Sequence, residues 1–243
     1  METLRGFLQD NGKCFLTVAV VLGSAWFIYK KKTRTSYKPR VCGVDYPRDV
    51  IILHALRRDR LAPNLGHFCI KLETYLRINK IPYQFDGTSM PRPKEKVPWI
   101  EYNGVTMGDS QLIIQYLEQE FKVNLNAHLT SKERAIAWAI QKWIEEFTLN
   151  VYTRWVIFND DMFNIQSTCP KYMKIPMRRK VQSMLHAVGV GRHSKEEVHA
   201  MMVNDLKQFS AILGGELRNV TDYMDRMRNE IWPDWGDMIS KNT

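Results

Sequence analysis

The chain has 243 residues, of which 44% are hydrophobic and 25% are charged. This is the composition of an ordinary globular protein with one or two domains, and it excludes a wholly disordered chain, a collagen and a polytopic membrane protein. Four cysteines are too few for a disulfide scaffold in a chain of this length. Lys and Arg residues between residues 30 and 40 supply most of the net charge of +9. The rest of the chain is close to neutral, so the sequence predicts no nucleic-acid surface.

An apolar segment at residues 14–29 contains no charged residue and is bracketed by Lys13 and Lys30. A spanning helix needs about 20 residues, and lysines at its ends extend their ammonium groups to the two interfaces. The sequence therefore predicts a transmembrane anchor at residues 14–29. The alternative is a cleaved signal peptide, because Gly23 and Ala25 form a small-x-small cleavage motif.

The charges around this segment predict its orientation. Basic residues flank the cytosolic ends of membrane spans, and here they follow the apolar run in a predicted linker at residues 30–46. The expected protein is a single-pass membrane protein with a short N-terminal segment at residues 1–13 and a cytosolic C-terminal body. The sequence leaves the organelle open between the mitochondrial outer membrane and the endoplasmic reticulum or plasma membrane.

After the linker, strand and helix patterns alternate. A β-branched run at Asp49–His54 predicts a buried strand, and apolar residues at helical spacing predict a helix at His67–Asn79. A second strand is expected from Ile81. The dipeptide Asn103-Gly104 between two apolar runs predicts a type I′ β-hairpin, and a helix follows it. The order β-α-β-β-β-α predicts a thioredoxin-like α/β domain.

Beyond this thioredoxin-like domain, predicted at residues 47–123, the sequence contains no strand pattern. Residues 127–243 are therefore predicted to form an all-α domain with three of its tryptophans in the core. The helices are expected at Ser131–Phe158, Tyr172–Val188, Lys195–Leu213 and Tyr223–Ile231. The three tryptophans are Trp138, Trp143 and Trp155.

A thioredoxin-like domain followed by an all-α domain is the layout of the glutathione transferases, and three stretches of this sequence are more specific. These are RDVIILHALRRDRLAPNLGHFCIKLETYLRINKIPY, VPWIEYNGVTMGDSQLIIQYLEQEF and YMDRMRNEIWPDWGDM. In them the chain resembles the failed axon connections family, which is glutathione-transferase-like and similar to the metaxins. The match covers residues 47–160 well and residues 216–238 in part. The resemblance implies an all-α domain like the C-terminal domain of glutathione transferases.

The sequence departs from that family between Gly215 and Glu216. The helical domain of the family continues there through a buried helix, whereas here Gly215 is followed directly by ELRNVTDYMDR. The resemblance therefore implies a shortened helical domain. Loss of a central helix is expected to expose the apolar faces that it covers.

The resemblance places Gly66 where glutathione transferases carry the Tyr, Ser or Cys that activates the glutathione thiol. A glycine has no side chain for this task, so no catalytic residue is predicted. Two neighbours remain as weaker candidates. One is His67, in the first turn of the helix, and the other is Cys69, the second cysteine of a C-x-x-C pattern that lacks its first. The competing interpretations are a structural, partly exposed His67 and a buried, inert Cys69.

The glutathione-binding half of the site is better retained. Pro98 after Val97 matches the cis-proline that lets the preceding residue pair its backbone with an extended peptide. Asp109-Ser110 matches the acidic-Ser pair that holds the γ-glutamyl end, because a helix N-terminus suits a carboxylate and Asp109 suits an ammonium group. The resemblance implies glutathione as the candidate ligand, and no metal site is predicted. The competing interpretation is that Asp109 and Ser110 only cap a helix.

These observations predict a membrane-anchored, glutathione-transferase-like protein with weak or no transferase activity. The resemblance implies an adaptor or developmental role in axon formation, with protein partners or a second copy of the chain. A working glutathione-dependent transferase is one alternative. A metaxin-like component of the mitochondrial outer membrane is the other.

Overall fold

The computed structural model describes residues 40–59, 62–64, 66–87, 96–159, 171–214 and 217–238. Its first elements are a four-stranded sheet and two helices. In chain order they are β1 (Ile51–His54), α1 (His67–Ile78), β2 (Tyr83–Asp86), β3 (Trp99–Tyr102), β4 (Val105–Gly108) and α2 (Ser110–Glu120). The strand order is β2-β1-β3-β4, with β1 parallel to β2 and antiparallel to β3, and with β3 antiparallel to β4. This is the predicted thioredoxin-like arrangement.

The connections follow from local chemistry. Parallel strands need a crossover, and α1 supplies it between β1 and β2. The β3–β4 hairpin turns at Asn103 and Gly104, whose φ angles of 44° and 84° are the left-handed values that a type I′ turn requires. The predicted hairpin is therefore confirmed.

One face of the sheet is covered by α1 and α2. Apolar residues at helical spacing meet alternate residues of β1 and β3, and burial of side chains of this size contributes about 1.5–3 kcal/mol each. This core fixes both helices on the sheet. Its buried members are Ile51, Leu53, Ala55, Cys69, Leu72, Tyr75, Leu76, Ile81, Ile100, Tyr102, Ile113, Ile114 and Leu117.

The rest of the described chain is helical, as predicted. It comprises α3 (Ser131–Trp143), a π-helical turn (Ile144–Thr148), α4 (Leu149–Phe158), α5 (Lys171–Ala187), a 3₁₀ turn (Val190–Arg192), α6 (Lys195–Ile212), α7 (Leu217–Ile231) and α8 (Trp235–Met238). Capping boxes open two of these helices, Thr130 with Glu133 at α3 and Ser194 with Glu197 at α6. From Val41 onward the chain forms one compact unit.

The core of the helical part is smaller than that of the sheet. Its buried apolar residues are Val151, Val156, Ile157, Leu185, Val190 and Val198. Trp155 packs against this cluster and Trp143 against Phe209, with 4.6 Å between the ring centroids. Trp138 retains 62% of its surface, so its predicted core position is wrong. It lies on α3, no residue of which is buried.

The structure corrects the prediction of a membrane-spanning protein. In the ranges given above, no helix is both long enough and apolar enough to cross a membrane. The longest of these helices, α6, has 18 residues but includes Lys195, Glu196, Glu197, Asp205 and Lys207. The N-terminal transmembrane helix of the predicted fold class, and the single-pass localisation that depends on it, are therefore not supported by the described residues. The segment predicted as the anchor, residues 14–29, lies outside the described residues, as does the junction at residues 215 and 216.

Candidate functional site

The predicted site residues meet at one edge of the sheet. Trp99 at the start of β3 pairs with Gly108 at the end of β4, so the next residue on each side brings Pro98 beside Asp109. Trp99 also pairs with His54, the last residue of β1, on its other side. Because α1 returns from that end of β1, its N-terminus and the N-terminus of α2 lie at the same edge. A hydrogen bond of 2.7 Å from Lys71 Nζ in α1 to Gln111 Oε1 in α2 joins the two helices there.

The Val97–Pro98 segment leads into β3. The peptide bond between these residues is cis, Pro98 is buried, and Val97 packs partly buried against the core of the sheet. The pairing of the Val97 backbone with a peptide ligand remains a prediction.

Asp109 precedes α2 in an unusual backbone conformation, with φ 85° and ψ 113°. Its carboxylate accepts hydrogen bonds from the amides of Gln111 at 3.1 Å and Leu112 at 3.3 Å. The predicted helix cap is therefore confirmed. A non-glycine residue held at such a φ stores strain of about 1–3 kcal/mol, and residues of this kind cluster at ligand sites. Capping alone does not require this conformation, so a role of Asp109 and the buried Ser110 in ligand binding stays a prediction beside the cap.

Gly66 is the N-cap residue of α1 and provides no side-chain hydrogen bond to it. A Cβ atom at this position would lie 2.8 Å from Cys69 Sγ and 3.1 Å from Asn64 Oδ1. A separation below 3 Å is too short for a carbon and a sulfur atom that are not bonded. The sulfur of Cys69 thus occupies the space into which a side chain at residue 66 would extend. The site is packed around a glycine, and no nucleophile fits there without a local rearrangement.

Cys69 and His67 differ in their surroundings. Burial raises the pKa of the Cys69 thiol to about 11, because a thiolate is poorly solvated there; a hydrogen bond with the Leu56 backbone opposes the rise and the charge of Glu73 adds to it. At neutral pH Cys69 is therefore an unreactive thiol. Part of the His67 surface is exposed, its ring lies edge-on to Tyr152 at 5.6 Å, and desolvation by the surrounding protein lowers its pKa. The lowered pKa favours the neutral imidazole.

An apolar groove of about 1000 Å³ opens beside this edge, between α1 and the helices that follow α2. Its walls come from α1, α3, the π-helical turn, α4 and α6, and π-helical turns occur often at functional sites. The groove suits an uncharged, apolar ligand or side chain. It is lined by His67, Phe68, Lys71, Ala137, Ile140, Gln141, Ile144, Glu145, Thr148, Leu149, Tyr152, Met202 and Leu206.

A polar network joins the wall of the groove to the start of α2, close to Asp109. Lys71 Nζ donates to Glu145 Oε1 at 2.6 Å as well as to Gln111, and Gln141 Nε2 donates to Gln111 Oε1 at 2.6 Å and to Glu145 Oε1 at 2.9 Å. Burial raises the pKa of Glu145, but the hydrogen bonds from Lys71 and Gln141 and the charges of Lys71 and Lys142 outweigh it, so the pKa is lowered. The network ties α1 and α2 to α3 and the π-helical turn.

Sequence reasoning missed this network. The only local signals for it are that Lys71 lies one helical turn after His67 and that Gln111 follows Ser110. Neither signal identifies the partners, which come from a distant part of the chain. In the described part of the chain, no three His, Cys, Asp or Glu side chains are grouped so that they could hold a metal ion.

Comparisons with known proteins identify relatives of the same kind. A family model described as a glutathione S-transferase N-terminal domain matches residues 67–162. Failed axon connections of Drosophila melanogaster is 28% identical over an alignment of 204 residues, with 76% of this chain and 49% of that protein covered. Isoprene-epoxide–glutathione S-transferase of Rhodococcus sp. (strain AD45) is 26% identical over 171 residues, with 62% of this chain and 71% of that protein covered. The chain thus spans about half the length of its Drosophila relative.

Solved structures with some likeness include glutathione transferase Omega 3C from Trametes versicolor, at 17% identity and a TM-score of 0.45, with 70% of this chain and 64% of that chain covered. The β-etherase LigF from Sphingobium sp. strain SYK-6 has 15% identity and a TM-score of 0.45, with 67% and 71% covered. Both scores are low. The sequence matches and the strand order support a glutathione-transferase-like protein of the failed axon connections type.

Proposed function

We propose that this protein binds glutathione, or a peptide with the same γ-glutamyl end, and has little or no transferase activity. The observation that carries the proposal is the packing at Gly66. Cys69 Sγ lies 2.8 Å from the place of a Cβ atom, so the position that activates the thiol in glutathione transferases has no side chain, and none fits there unless Cys69 moves. What remains at this edge of the sheet is suited to holding a peptide.

The binding half is supported by three features at the same edge. The segment before β3 places the Val97 backbone beside the end of β4, where an extended peptide can add its own backbone. The N-terminus of α2 favours a carboxylate near Ser110. The carboxylate of Asp109 is held by two amides and can receive an ammonium group on its remaining oxygen lone pairs.

An adaptor role fits this chemistry better than an enzymatic one. A bound peptide or small thiol would order the groove edge, and the exposed apolar side chains around the groove would then serve a protein partner or a second copy of the chain. The name of the Drosophila relative suggests that such a role belongs to axon formation. Because the chain spans about half of that relative, the role is proposed only for the half of the relative that this chain matches.

The test compares two helix caps in the full chain, Asp109→Ala at α2 and Thr130→Ala at α3. Each removes a capping side chain, so each should lower stability by about 1 kcal/mol. Asp109→Ala alone should also weaken glutathione binding about tenfold, since a hydrogen bond to a charged group contributes about 1.5–3 kcal/mol. Calorimetric titration and melting curves measure both quantities. A wild-type protein that binds no glutathione, or binding that Asp109→Ala leaves unchanged, would contradict the proposal.

A working transferase is the second candidate, and His67 is the observation that favours it. Its neutral imidazole lines the groove at the start of α1 and can accept a proton from a bound thiol. Under the first proposal, conjugation of glutathione to a standard electrophile should stay near background, because loss of one polar stabiliser typically lowers turnover about 10²–10³-fold. Ordinary turnover that His67→Ala abolishes would establish the second candidate instead.

A further inference from the structure

The C-terminal segment of the described chain is anchored on α1. Asp234 accepts hydrogen bonds from both terminal nitrogens of Arg77, at 2.7 and 3.0 Å. The guanidinium of Arg77 lies 4.0 Å from the centre of the Trp232 ring, and Trp232 Nε1 donates to Thr74 Oγ1 at 3.1 Å. A two-point ion pair of this kind fixes the direction of the arginine as well as its position.

One turn before Arg77 on the same helix, Glu73 is fully buried. Its two carboxylate oxygens accept hydrogen bonds from Arg58 at 2.8 and 2.6 Å, and the Tyr83 hydroxyl donates to it at 2.8 Å. Arg58 belongs to the connection between β1 and α1 and also donates to the carbonyl of Pro63 at 3.2 Å. Glu73 therefore holds this connection against the side of α1.

The same connection ends at the candidate site. The Asn64 side chain donates to the Leu56 carbonyl and accepts from the Gly66 amide at 2.8 Å, so it closes the turn from which α1 starts. The position of Gly66 and of the exposed His67 therefore depends on how firmly Arg58 is bound.

Two arginines are within reach of the buried Glu73 carboxylate. Arg77 follows Glu73 by four residues, the spacing at which a Glu and a later Arg pair on a helix. Its Nε lies 3.9 Å from Glu73 Oε1 and donates to the Tyr83 hydroxyl at 3.1 Å. Its terminal nitrogens are turned to Asp234 instead, and one of them also donates to the Ile231 carbonyl at 3.4 Å. Asp234 thus keeps Arg77 from competing with Arg58.

We propose that Asp234 is a positioning residue for the candidate site: by binding Arg77 it reserves Glu73 for Arg58, and so keeps the connection between β1 and α1 in the shape that the site needs. When the C-terminal segment leaves α1, Arg77 rotates to Glu73 and weakens the hold on Arg58. This inference rests on the proposed peptide binding at the same edge. By linkage, a ligand that needs the connection ordered also stabilises the docked C-terminal segment.

The experiment uses three variants of the full chain: Asp234→Ala, Arg77→Met and the double variant. Hydrogen exchange is followed in the peptide from β1 to the start of α1, and glutathione affinity is measured beside it. Asp234→Ala should speed exchange there and weaken affinity, each about five- to tenfold, at the lower end of typical coupling between linked sites. Arg77→Met should leave both close to wild type, because no competitor for Glu73 remains. The double variant should return to the Arg77→Met values.

Asp237→Ala, three residues later and within α8, controls for the loss of a carboxylate, and melting curves confirm that each variant folds. If the double variant exchanges as fast as Asp234→Ala, the proposal is overturned, because loss of the docked C-terminal segment would by itself explain the faster exchange. Unchanged exchange in Asp234→Ala would overturn it as well. If wild-type protein binds no glutathione, the proposed function fails, whereas the exchange comparison still decides whether Asp234 acts through Arg77.

Discussion

The sheet part and the helical part of this chain bury their apolar residues to very different degrees. In the sheet part, Leu72, Leu76 and Ile100 have no exposed surface. In α3, by contrast, Ile136 retains 48% of its surface, although residues 135–140 read AIAWAI and are apolar on every side of the helix. A helical segment that is apolar all round is typical of a buried position. This central segment of α3 therefore has more apolar surface than the described residues cover.

This difference shows where the stability of the molecule resides. The buried apolar residues of α1 and α2 pack against the sheet, so loss of one of these side chains leaves a cavity in a closed core. The faces of α3 and the π-helical turn open onto solvent or onto the groove, where Ile140 and Ile144 line one wall. That a shortened helical domain leaves these faces uncovered remains a prediction.

The largest contrast should come from truncating one apolar side chain in each part. Leu76→Ala should destabilise the protein by about 2–5 kcal/mol, because it opens a cavity in a closed core. Ile136→Ala, at its half-exposed position, should change stability by less than about 0.5 kcal/mol. Urea unfolding of both variants measures the contrast. Equal losses would mean that α3 is covered in solution.

A smaller effect is expected at Gly66, where the sheet part meets the groove. Gly66→Ala should destabilise by about 1–3 kcal/mol, because its Cβ would press on Cys69 Sγ. Cys69→Ala in the same chain should relieve part of this loss, so the double variant should lose less than the sum of the two single ones. Gly236→Ala is the control, since a Cβ atom there meets nothing within 4 Å. Additive losses at positions 66 and 69 would contradict the proposed contact.

Local patterns predicted most of the sheet part. Asn103-Gly104 identifies the hairpin, and the spacing of Leu72 and Leu76 identifies the buried face of α1, because both depend on residues a few positions apart. The Asp109 cap was predicted for the same reason and is confirmed. These elements were predictable since their partners are near in sequence.

The features that sequence reasoning missed join residues that are far apart. Asp234 meets Arg77 across 157 positions, and Glu145 meets Lys71 across 74. Nothing in a single sequence pairs one acidic residue with one basic residue over such a separation. The core position of Trp138 was predicted because its neighbours in sequence are apolar. That prediction is wrong because the spacing of apolar residues shows which face of a helix is apolar but not whether another element packs against that face.

The smallest effect concerns the link between the two parts, at Lys71 and Glu145. The pKa of Glu145 is lowered in the folded protein, so the unfolded chain takes up its proton at a higher pH than the folded chain does. The stability that this carboxylate contributes is therefore present above its unfolded pKa, about 4.3 for a glutamate, and is lost as the pH falls through the lower folded pKa.

Glu145→Gln should flatten the acid limb of a stability–pH curve, and Lys71→Met should flatten it too, because it removes the cation that lowers the pKa of Glu145. Glu146→Gln, in the neighbouring exposed position, measures what the loss of any one carboxylate does. A curve for Glu145→Gln that falls as steeply as that of the wild type would show that the two parts are not held together by this ion pair, and the contacts of α1 with Trp232 and Asp234 would then be the ones that join them.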